Sequence, residues 1–335
     1  MPSMIADAGW FASTPPFLLL LALVLEPILG EARGPLNRLP HPVRVFGWLI
    51  AGLDRSLNRP ERRDRTRRLL GVVALMLTAG SAIVLGIAVE ALAAAVPFGW
   101  LLALALVIAL LAQRSLYRHV AQVATALSVG GLDAGRDAVA RIVGRDVAEL
   151  DIPGVVRAAI ESLAENFSDA VVAPCFWYGL LGLPGILAYK SVNTLDSMIG
   201  HLDDRHRAFG WASARLDDGL NWLPARLSGA YVALAAAAVE NASPGRAWRV
   251  MVRDAGKHRS PNAGWPEAAM AGALGLALAG PRRYGDRIVD DPWLGDAGMS
   301  AAPADIGRAL SMFTVACLIN GAAVTVVAAL RWAFA

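Results

Sequence analysis

The sequence predicts an all-α, polytopic integral membrane protein with about four to five transmembrane helices, plus re-entrant and cytoplasmic helices. Hydrophobic residues make up 56% of its 335 positions and the mean hydropathy is +0.47. These values lie above those of most soluble domains. Charged residues make up 18% of the chain, but they are absent from several long stretches and crowded into others. This uneven distribution separates a membrane protein from an apolar soluble one.

The apolar stretches divide the chain into segments of one predicted membrane domain, 1–335. Spanning a bilayer takes about 20 apolar residues, and the segments are assigned by that length and by the charges between them. We expect an N-terminal membrane helix at 17–30, a basic cytoplasmic loop at 31–68, a transmembrane hairpin at 69–112, cytoplasmic helices at 113–169, broken membrane segments with motif loops at 170–280, and a C-terminal transmembrane helix at 310–332.

The placement of arginine predicts the orientation. Ten arginines and three acids lie between Arg33 and Arg68, and an excess of basic residues marks cytoplasmic loops. We therefore expect a multi-pass protein of the cytoplasmic (inner) membrane whose active site faces the cytoplasm. The same arginines could suggest nucleic acid, but a loop beside anionic lipid explains them better, so no nucleic-acid partner is expected.

The first of three polar blocks is ESLAENFSD (161–169), which leads into the charge-free stretch 170–189. Glu161, Glu165 and Asp169 recur every four residues, so on a helix they lie nearly on one face. Three like charges repel unless a cation lies opposite them. Acids at a membrane boundary are costly and usually functional. The alternative is a solvated helix face with salt bridges to nearby arginines.

The second block is AYKSVNTLDSMIG (188–200). Lys190, Asn193 and Asp196 can share a helical face, and amide and carboxylate oxygens are ligands that Mg²⁺ accepts beside water and phosphate. Asp217 and Asp218 follow in the next polar stretch. An interfacial helix with snorkelling arginines is the alternative explanation of this stretch.

The third block, 254–267, is rich in turn residues. It contains a compact group of cationic side chains, Lys257, His258 and Arg259, suited to phosphate or carboxylate. Pro266 fits the first turn of a following helix, with Glu267 beside it. No phosphate-binding loop of the G-x-x-x-x-G-K-[ST] type and no G-x-G-x-x-G occurs anywhere in the chain. A bound nucleotide would therefore need an uncommon cradle.

These blocks together resemble the CobD/CbiB family, the adenosylcobinamide-phosphate synthases of cobalamin biosynthesis. The similarity covers roughly residues 18 to 320. It includes the three blocks and four further pieces: LPHPVR (39–44), IVGRD (142–146), FGWASARLDD (209–218) and NWLPAR (221–226). The chain departs from the family at Glu26 and Glu31, where Asp is usual, and at Ala170, where Gly is common. Charge is kept at the first two positions.

The resemblance implies amide formation between a propionate of adenosylcobyric acid and (R)-1-aminopropan-2-ol or its O-phosphate. It also implies ATP as co-substrate, a corrinoid partner and a place in the membrane, with association with other membrane-bound late cobalamin enzymes as a further expectation. Activation of a carboxylate by phosphoryl transfer requires Mg²⁺ and cations around the phosphates, and the attacking ammonium requires a base.

Each polar residue of the blocks then receives an expected role. Expected catalytic residues are Glu165, Asp196, Lys257 and Glu267. Expected metal ligands are Glu161, Glu165, Asp169 and Asp196. Expected substrate- or phosphate-binding residues are Asn166, Lys190, Asn193, Asp217, Asp218, His258, Arg259 and Asn262. We expect the three blocks to meet at the inner rim of the bilayer.

Two other functions remain compatible with parts of the pattern. An Mg²⁺-dependent membrane prenyl-type transferase would use acidic helices, but the paired Asp-rich repeats are missing and the Lys-His-Arg group is left unexplained. A small-solute transporter would explain the Pro- and Gly-broken apolar segments, but it predicts inverted repeats, and none is apparent.

Overall fold

The computed structural model describes residues 15–30, 41–144, 146–284, 287–296 and 301–334. Residues 31–40, which include Glu31, and Arg145 lie outside the described residues. The helices are α1 Pro15–Leu29, α2 Pro42–Leu57, α3 Asp64–Ala95, α4 Trp100–Leu110, α5 Gln113–Val139, α6 Ile152–Phe167, a π-helical turn Ser168–Val172, α7 Ala173–Ile199, α8 Trp211–Leu220, α9 Trp222–Ala235, α10 Pro244–Asp254, α11 Gly264–Leu274 and α12 Pro303–Ala333. Short strands are β1 Leu278–Ala279, β2 Arg282–Tyr284, β3 Arg287–Val289 and β4 Trp293–Leu294, paired β1 with β4 and β2 with β3, both antiparallel.

The predicted fold class is confirmed. Four helical stretches are long and apolar enough to cross a membrane: Asp64–Ala95, Trp100–Val139, Ile152–Ile199 and Pro303–Ala333. The shorter apolar helix Pro15–Leu29 adds a fifth candidate segment. Only 28% of the most apolar window of α3 is buried within the protein, and its outward side chains include Leu69, Met76 and Val84. Apolar surface of this extent suits contact with lipid tails.

The sequence prediction of a basic loop at 31–68 is wrong for its central part, because α2 occupies 42–57. Pro42 lies in the first turn, where a proline fits, and the His41 ring accepts a hydrogen bond from Val43 N–H at its N-terminus. Phe46 and Ile50 are buried four residues apart on one face. In the sequence, the arginines of this segment obscure that helical periodicity.

Where the sequence predicts a single domain, the contacts divide the chain into two compact units. The first comprises 1–112, 173–220 and 323–335, and in it α3 packs along α7 while α1 packs on α4. The second comprises 113–172 and 221–322. In the second unit α11 is almost wholly buried and contacts α6, α9 and α10.

Backbone breaks occur at two glycines, of which Gly182 lies in the stretch predicted to be broken. Gly131 breaks α5 with φ 73° and ψ −159°, and Gly182 breaks α7 with φ 65° and ψ −149°. Such a conformation is open essentially to glycine alone. The stretch 170–189 is therefore a helix broken at Gly182 and preceded by a π-helical turn.

A carboxylate from α3 satisfies the backbone at the break in α7. Leu183 N–H donates to Glu90 Oε1 at 2.8 Å, and the next residue, Pro184, has no N–H to offer. A Cβ at Gly182 would lie 2.3 Å from that same Glu90 oxygen. Glu90 is the only charged residue in the apolar run 69–96. It thus provides the acceptor that the broken helix cannot provide for its own Leu183 N–H.

We predict that Gly182→Ala destabilises the protein by about 1–3 kcal/mol, because alanine cannot adopt this backbone conformation without strain. Gly179→Ala is the matched control: Gly179 lies in the same helix, and a Cβ there meets no atom within 4 Å. The control should be neutral or slightly stabilising. Thermal unfolding in detergent measures both variants, and equal melting temperatures would contradict the assignment.

Candidate active site

In the first unit, the polar residues of the second block lie along one side of α7. Lys190, Asn193 and Asp196 are spaced three residues apart within the helix. The Asn193 side-chain amide donates to Asp217 Oδ1 at 3.3 Å, and Asp217 is only 8% exposed. Contact between α7 and α8 thus brings together two predicted residues that are 24 positions apart.

Asp196 lies against the backbone at the end of α7. A Cβ at Gly200 would fall 2.0 Å from Asp196 Oδ1, and Gly200 N–H donates to the Asp196 carbonyl at 2.7 Å. Gly210 makes a similar close approach, since a Cβ there would lie 1.7 Å from the Ile199 carbonyl oxygen. These glycines let the segment 200–210 fold back closely on the end of α7.

Asp218 points to a different environment from its neighbour Asp217. Burial raises the pKa of Asp218, and this effect outweighs the nearby Arg215 guanidinium, which lowers it. The two groups form an ion pair of 3.1 Å. Burial therefore disfavours the charged form of Asp218, although Arg215 lies in ion-pair contact with it.

His41, from the piece LPHPVR, is a neutral ring next to this polar face. Its Nε2 lies 2.7 Å from the Ala109 carbonyl, and its Nδ1 accepts from Val43 N–H. Burial lowers the pKa of His41, and the charges of Lys190 and Arg44 lower it further. The hydrogen bond with the Ala109 carbonyl acts in the opposite direction but does not outweigh them. The ring thus serves as a neutral hydrogen-bonding link between α2 and α4.

In the second unit, the predicted acidic face of the first block is not uniform. Glu161 is buried and accepts a hydrogen bond from Ala279 N–H at 2.8 Å, whereas Glu165 is exposed and Asp169 is partly buried. Asp169 also lies in the π-helical turn, whose wider spacing departs from the α-helical periodicity assumed from the sequence. The carboxylate of Glu161 is thus engaged with the backbone of β1.

A buried carboxylate, Asp254, organises the start of the third block. Its side chain is fully buried and accepts from Arg253 at 2.7 and 2.8 Å and from Gly295 N–H at 2.9 Å. Lys257 Nζ lies 2.6 Å from Asp254 Oδ1, the carboxylate oxygen that Gly295 does not contact. Burial alone would raise the pKa of Asp254, but the hydrogen bonds from Arg253, Lys257 and Gly295 lower it well below its usual range.

The turn that follows is built by Ser260 and His258. Ser260 Oγ accepts from the N–H groups of Asn262 and Ala263 at 3.3 and 3.2 Å. His258 Nδ1 accepts from Ser260 N–H at 3.0 Å, the shorter of its two contacts with that residue. A Cβ at Gly264 would lie 2.2 Å from the Ala255 carbonyl oxygen. The Ser-Pro-Asn sequence therefore forms the predicted turn and leads into α11.

His258 faces the carboxylate of Glu267. With Nδ1 acting as acceptor, the neutral ring carries its proton on Nε2, and this atom lies 3.8 Å from Glu267 Oε1. The side chains are 8% and 2% exposed respectively. Glu267 also lies in the first turn of α11, where the helix dipole favours negative charge. The two residues form a buried pair able to hold or move a proton.

Arg226 and two tryptophans lie at the same end of α11. The Arg226 guanidinium carbon is 4.1 Å from the Trp222 ring centroid and 4.5 Å from that of Trp265. One of its nitrogens donates to the Trp222 carbonyl at 2.5 Å. Burial lowers the pKa of Arg226. A guanidinium held between two indoles has little freedom to rotate.

The structure thus joins the first and third blocks in the second unit, through contact of α6 with α11. The meeting of all three blocks stays a prediction. Asn166 donates to the Ser162 carbonyl at 2.9 Å, Asn262 is buried and Arg259 is exposed.

Sequence reasoning missed two residues of the second unit. Asp254 precedes Lys257 by three positions, the spacing of a helical ion pair, and this was a usable signal. Arg226 follows Trp222 by four positions, which brings the two side chains together on a helix. Its second partner, Trp265, is visible only in the fold.

Metal binding by the protein alone is not evident in the described part of the chain, where no group of three or more His, Cys, Asp or Glu side chains is arranged to hold an ion. The side chains of Asn193 and Asp217, each of which carries an oxygen, lie in contact through the Asn193 amide N–H. This donor set fits Mg²⁺, which usually takes one or two carboxylates and completes its shell with water and phosphate oxygens.

Comparison with known proteins agrees with the sequence motifs. A sequence model of the family described as "CobD/Cbib protein" matches residues 19–313. A protein of a Sinorhizobium species is 49% identical over 314 residues, covering 93% of this chain and 97% of the relative. A protein of Rhodobacter capsulatus is 48% identical over 301 residues, covering 88% and 92%. Both relatives bear the name "Cobalamin biosynthesis protein CobD".

No solved structure shows significant similarity to the chain. The family match covers most of the length, and the identity of nearly one half extends over almost the whole of each relative. By this sequence similarity, the chain belongs to the CobD/Cbib protein family.

Proposed function

We propose that this protein is a cobalamin-biosynthesis enzyme that forms the amide bond of adenosylcobinamide or its phosphate. Its substrates are adenosylcobyric acid and (R)-1-aminopropan-2-ol or the O-phosphate of that amine. The observation that carries the proposal is the match to the CobD/Cbib family over residues 19–313, with relatives named as cobalamin-biosynthesis proteins.

The proposed reaction sets three chemical requirements. The propionate carboxylate becomes a good acceptor only after activation, and ATP as co-substrate supplies this by transfer of its terminal phosphoryl group. The amine then attacks the activated carbonyl, phosphate leaves, and the nitrogen must lose a proton to a base. Cations are required around the phosphates during the first step.

The Glu267–His258 pair supports the assignment of a base in the second unit. Glu267 accepts a proton from the amine nitrogen in this proposal, and His258 lies beside the carboxylate with its Nε2 3.8 Å from Oε1. Burial of both side chains excludes water from the proton-transfer path. Because Ser260 N–H fixes the His258 ring, the orientation of the pair is set before substrate binds.

Mg²⁺, when bound, would neutralise charge on the transferring phosphoryl group. In the first unit, Asn193 and Asp217 are proposed to contribute oxygens to the ion, with Asp196 and Lys190 on the same side of α7. Lys190 would contact phosphate. The family resemblance and this grouping of donors support the assignment.

The proposed location is the cytoplasmic membrane with the chemistry on the cytoplasmic side. The arginines of 33–68 and the four candidate spans support this topology. The proposed partners are the lipid bilayer, the corrinoid, the amine and other membrane-bound enzymes acting late in cobalamin synthesis.

Complementation tests the function directly. We predict that the gene restores growth on limiting cobalamin to a bacterial strain blocked at amidation of the corrinoid side chain. Supplied cobinamide bypasses the block and is the control for the rest of the pathway. Membranes that carry the protein should convert adenosylcobyric acid, amine and ATP to the amide. If folded, membrane-inserted protein neither complements nor forms product with either amine, the proposal fails.

We predict that Glu267→Gln lowers kcat by about 10²–10⁴-fold, the usual effect of losing a general base. Glu267→Asp should retain more activity because a carboxylate remains. His258→Gln keeps an N–H donor that can face Glu267, so it should be less impaired than His258→Phe. Steady-state kinetics, with pH profiles of the wild type and Glu267→Gln, measure these effects. Full activity of a well-folded Glu267→Gln variant would exclude the role.

A separate prediction concerns Lys257, whose ion pair with Asp254 indicates a role in stability. Asp254→Asn should destabilise the protein by about 2 kcal/mol near pH 7, because charge-assisted hydrogen bonds are lost around a buried acceptor. Since the folded-state pKa of Asp254 is lowered, this stabilisation is present above the ordinary aspartate pKa and is lost as pH falls below it. The difference in melting temperature from wild type should therefore shrink as the pH drops through about 4.

Lys257→Met should lower stability less than Asp254→Asn, because Lys257 is 44% exposed, and it should retain turnover. A Lys257→Met variant with wild-type stability but no turnover would show instead that Lys257 acts in catalysis, as the sequence pattern predicted.

A further inference from the structure

Several cations of the second unit form ion pairs with carboxylates. Arg253 and Lys257 are paired with Asp254, Arg308 with Asp305, and Arg136 with Asp133. Within the described residues, no carboxylate forms an ion pair with Arg226, whose contacts are the two indoles and the Trp222 carbonyl. In the part of the chain that the structure describes, its positive charge is therefore not neutralised by a carboxylate.

The sandwich fixes which part of the guanidinium can bind a ligand. The guanidinium carbon lies 4.1 and 4.5 Å from the centroids of the two indole rings, so the N–H edge is the part of the group that can contact a ligand. The single hydrogen bond to Trp222 uses one nitrogen of that edge. A planar edge with several N–H donors matches two oxygens of a phosphate or carboxylate.

The position of the sandwich relates it to the proposed base. Trp265 lies two residues before Glu267 in the first turn of α11. The backbone N–H of Trp265 donates to the Asn262 carbonyl at 3.0 Å. Contact between α9 and α11 is close here, since a Cβ at Gly229 would lie 3.0 Å from the Trp265 carbonyl oxygen. Arg226 is thus held at the same end of α11 as Glu267.

Two of the three cations that the third block offered for phosphate have carboxylate neighbours, and the third, Arg259, is exposed. Lys257 is bound to Asp254, and His258 faces Glu267. We propose that Arg226, clamped between Trp222 and Trp265, binds a phosphate group of a substrate, either that of the phosphorylated amino alcohol or that of the nucleotide. This inference rests on the proposed function and deepens it, because it assigns a residue to a substrate phosphate; if that phosphate is the amine's, the enzyme prefers the phosphorylated amine.

The decisive variant is Arg226→Lys, which keeps the charge but loses the planar edge and the double stacking. Arg157→Lys is the matched control: Arg157 stacks on one indole, Trp293, at 5.3 Å and lies 3.9 Å from Asp151. It therefore reports the loss of an ordinary structural arginine–aromatic contact in the same unit. KM and kcat are measured for the phosphorylated amine, the free amine, ATP and the corrinoid.

We expect Arg226→Lys to raise KM for one phosphate-bearing substrate by about 10–100-fold, the range for a lost charge-assisted contact. KM for the free amine and the corrinoid should stay within about twofold, and Arg157→Lys should change none of them. A selective effect on the phosphorylated amine assigns the site to the amine phosphate, and a selective effect on ATP assigns it to the nucleotide. An equal effect on all substrates, or one confined to the corrinoid, would overturn the inference.

Calorimetric titration of the detergent-solubilised protein gives a readout besides activity. Titrants are aminopropanol phosphate, free aminopropanol and ATP, each with wild type and Arg226→Lys. We expect one phosphate-bearing titrant to bind wild type at least about tenfold more tightly than the variant, whereas unchanged binding of both would contradict the inference. Trp265→Phe, which weakens one stacking partner and keeps the guanidinium, should show the same selectivity to a smaller degree and serves if Arg226→Lys does not fold.

The two proposals fail in different ways. If wild type forms no amide with either amine, the proposed function is wrong, whereas the titration still tests whether Arg226 binds phosphate. If wild type is active and Arg226→Lys keeps wild-type KM values for both phosphate-bearing substrates, only the inference about Arg226 is wrong.

Discussion

The structure depends on one constraint: a backbone N–H released by a break in an apolar helix must find an acceptor, because lipid supplies none. Glu90 meets this need at Leu183, where α7 breaks at Gly182. Glu161 and Asp254 accept similarly from backbone N–H groups at the short strands, Glu161 from Ala279 in β1 and Asp254 from Gly295 after β4. Some carboxylates of this apolar sequence thus have a structural function: they accept hydrogen bonds from backbone N–H groups that have no acceptor within a regular helix.

This constraint changes how the acidic residues are interpreted. A carboxylate in an apolar run is a functional candidate by default, and the sequence pattern placed Glu161 among metal ligands. In the fold its oxygen is engaged by a backbone amide, while Glu267 faces a histidine whose tautomer is fixed by Ser260. The environment of each acid, and not its spacing, separates structural carboxylates from those suited to proton transfer.

Turns at the helix ends hold the groups with the clearest chemistry. The Ser260 turn leads into α11, and this single helix end holds Glu267, Trp265 and, through Trp265, Arg226. Small residues make the approach possible: a side chain at Gly264 would collide with the Ala255 carbonyl. The turn-rich composition of 254–267 therefore reflects a need for close backbone contact around a few polar side chains.

The sequence by itself determined the membrane class, the broken helix within 170–189 and the family, because hydropathy, glycine and proline content and contiguous motifs are local properties. It also predicted a turn at 258–263 from its Ser-Pro-Asn sequence. It did not reveal α2, whose two buried residues were hidden among arginines.

Only the tertiary structure decided which polar side chains face one another. The Asn193–Asp217, His258–Glu267 and Arg226–Trp265 contacts join residues from different elements or from opposite ends of a turn. Pairing of this kind depends on how helices pack, and side-chain spacing along the chain reports only one helix at a time.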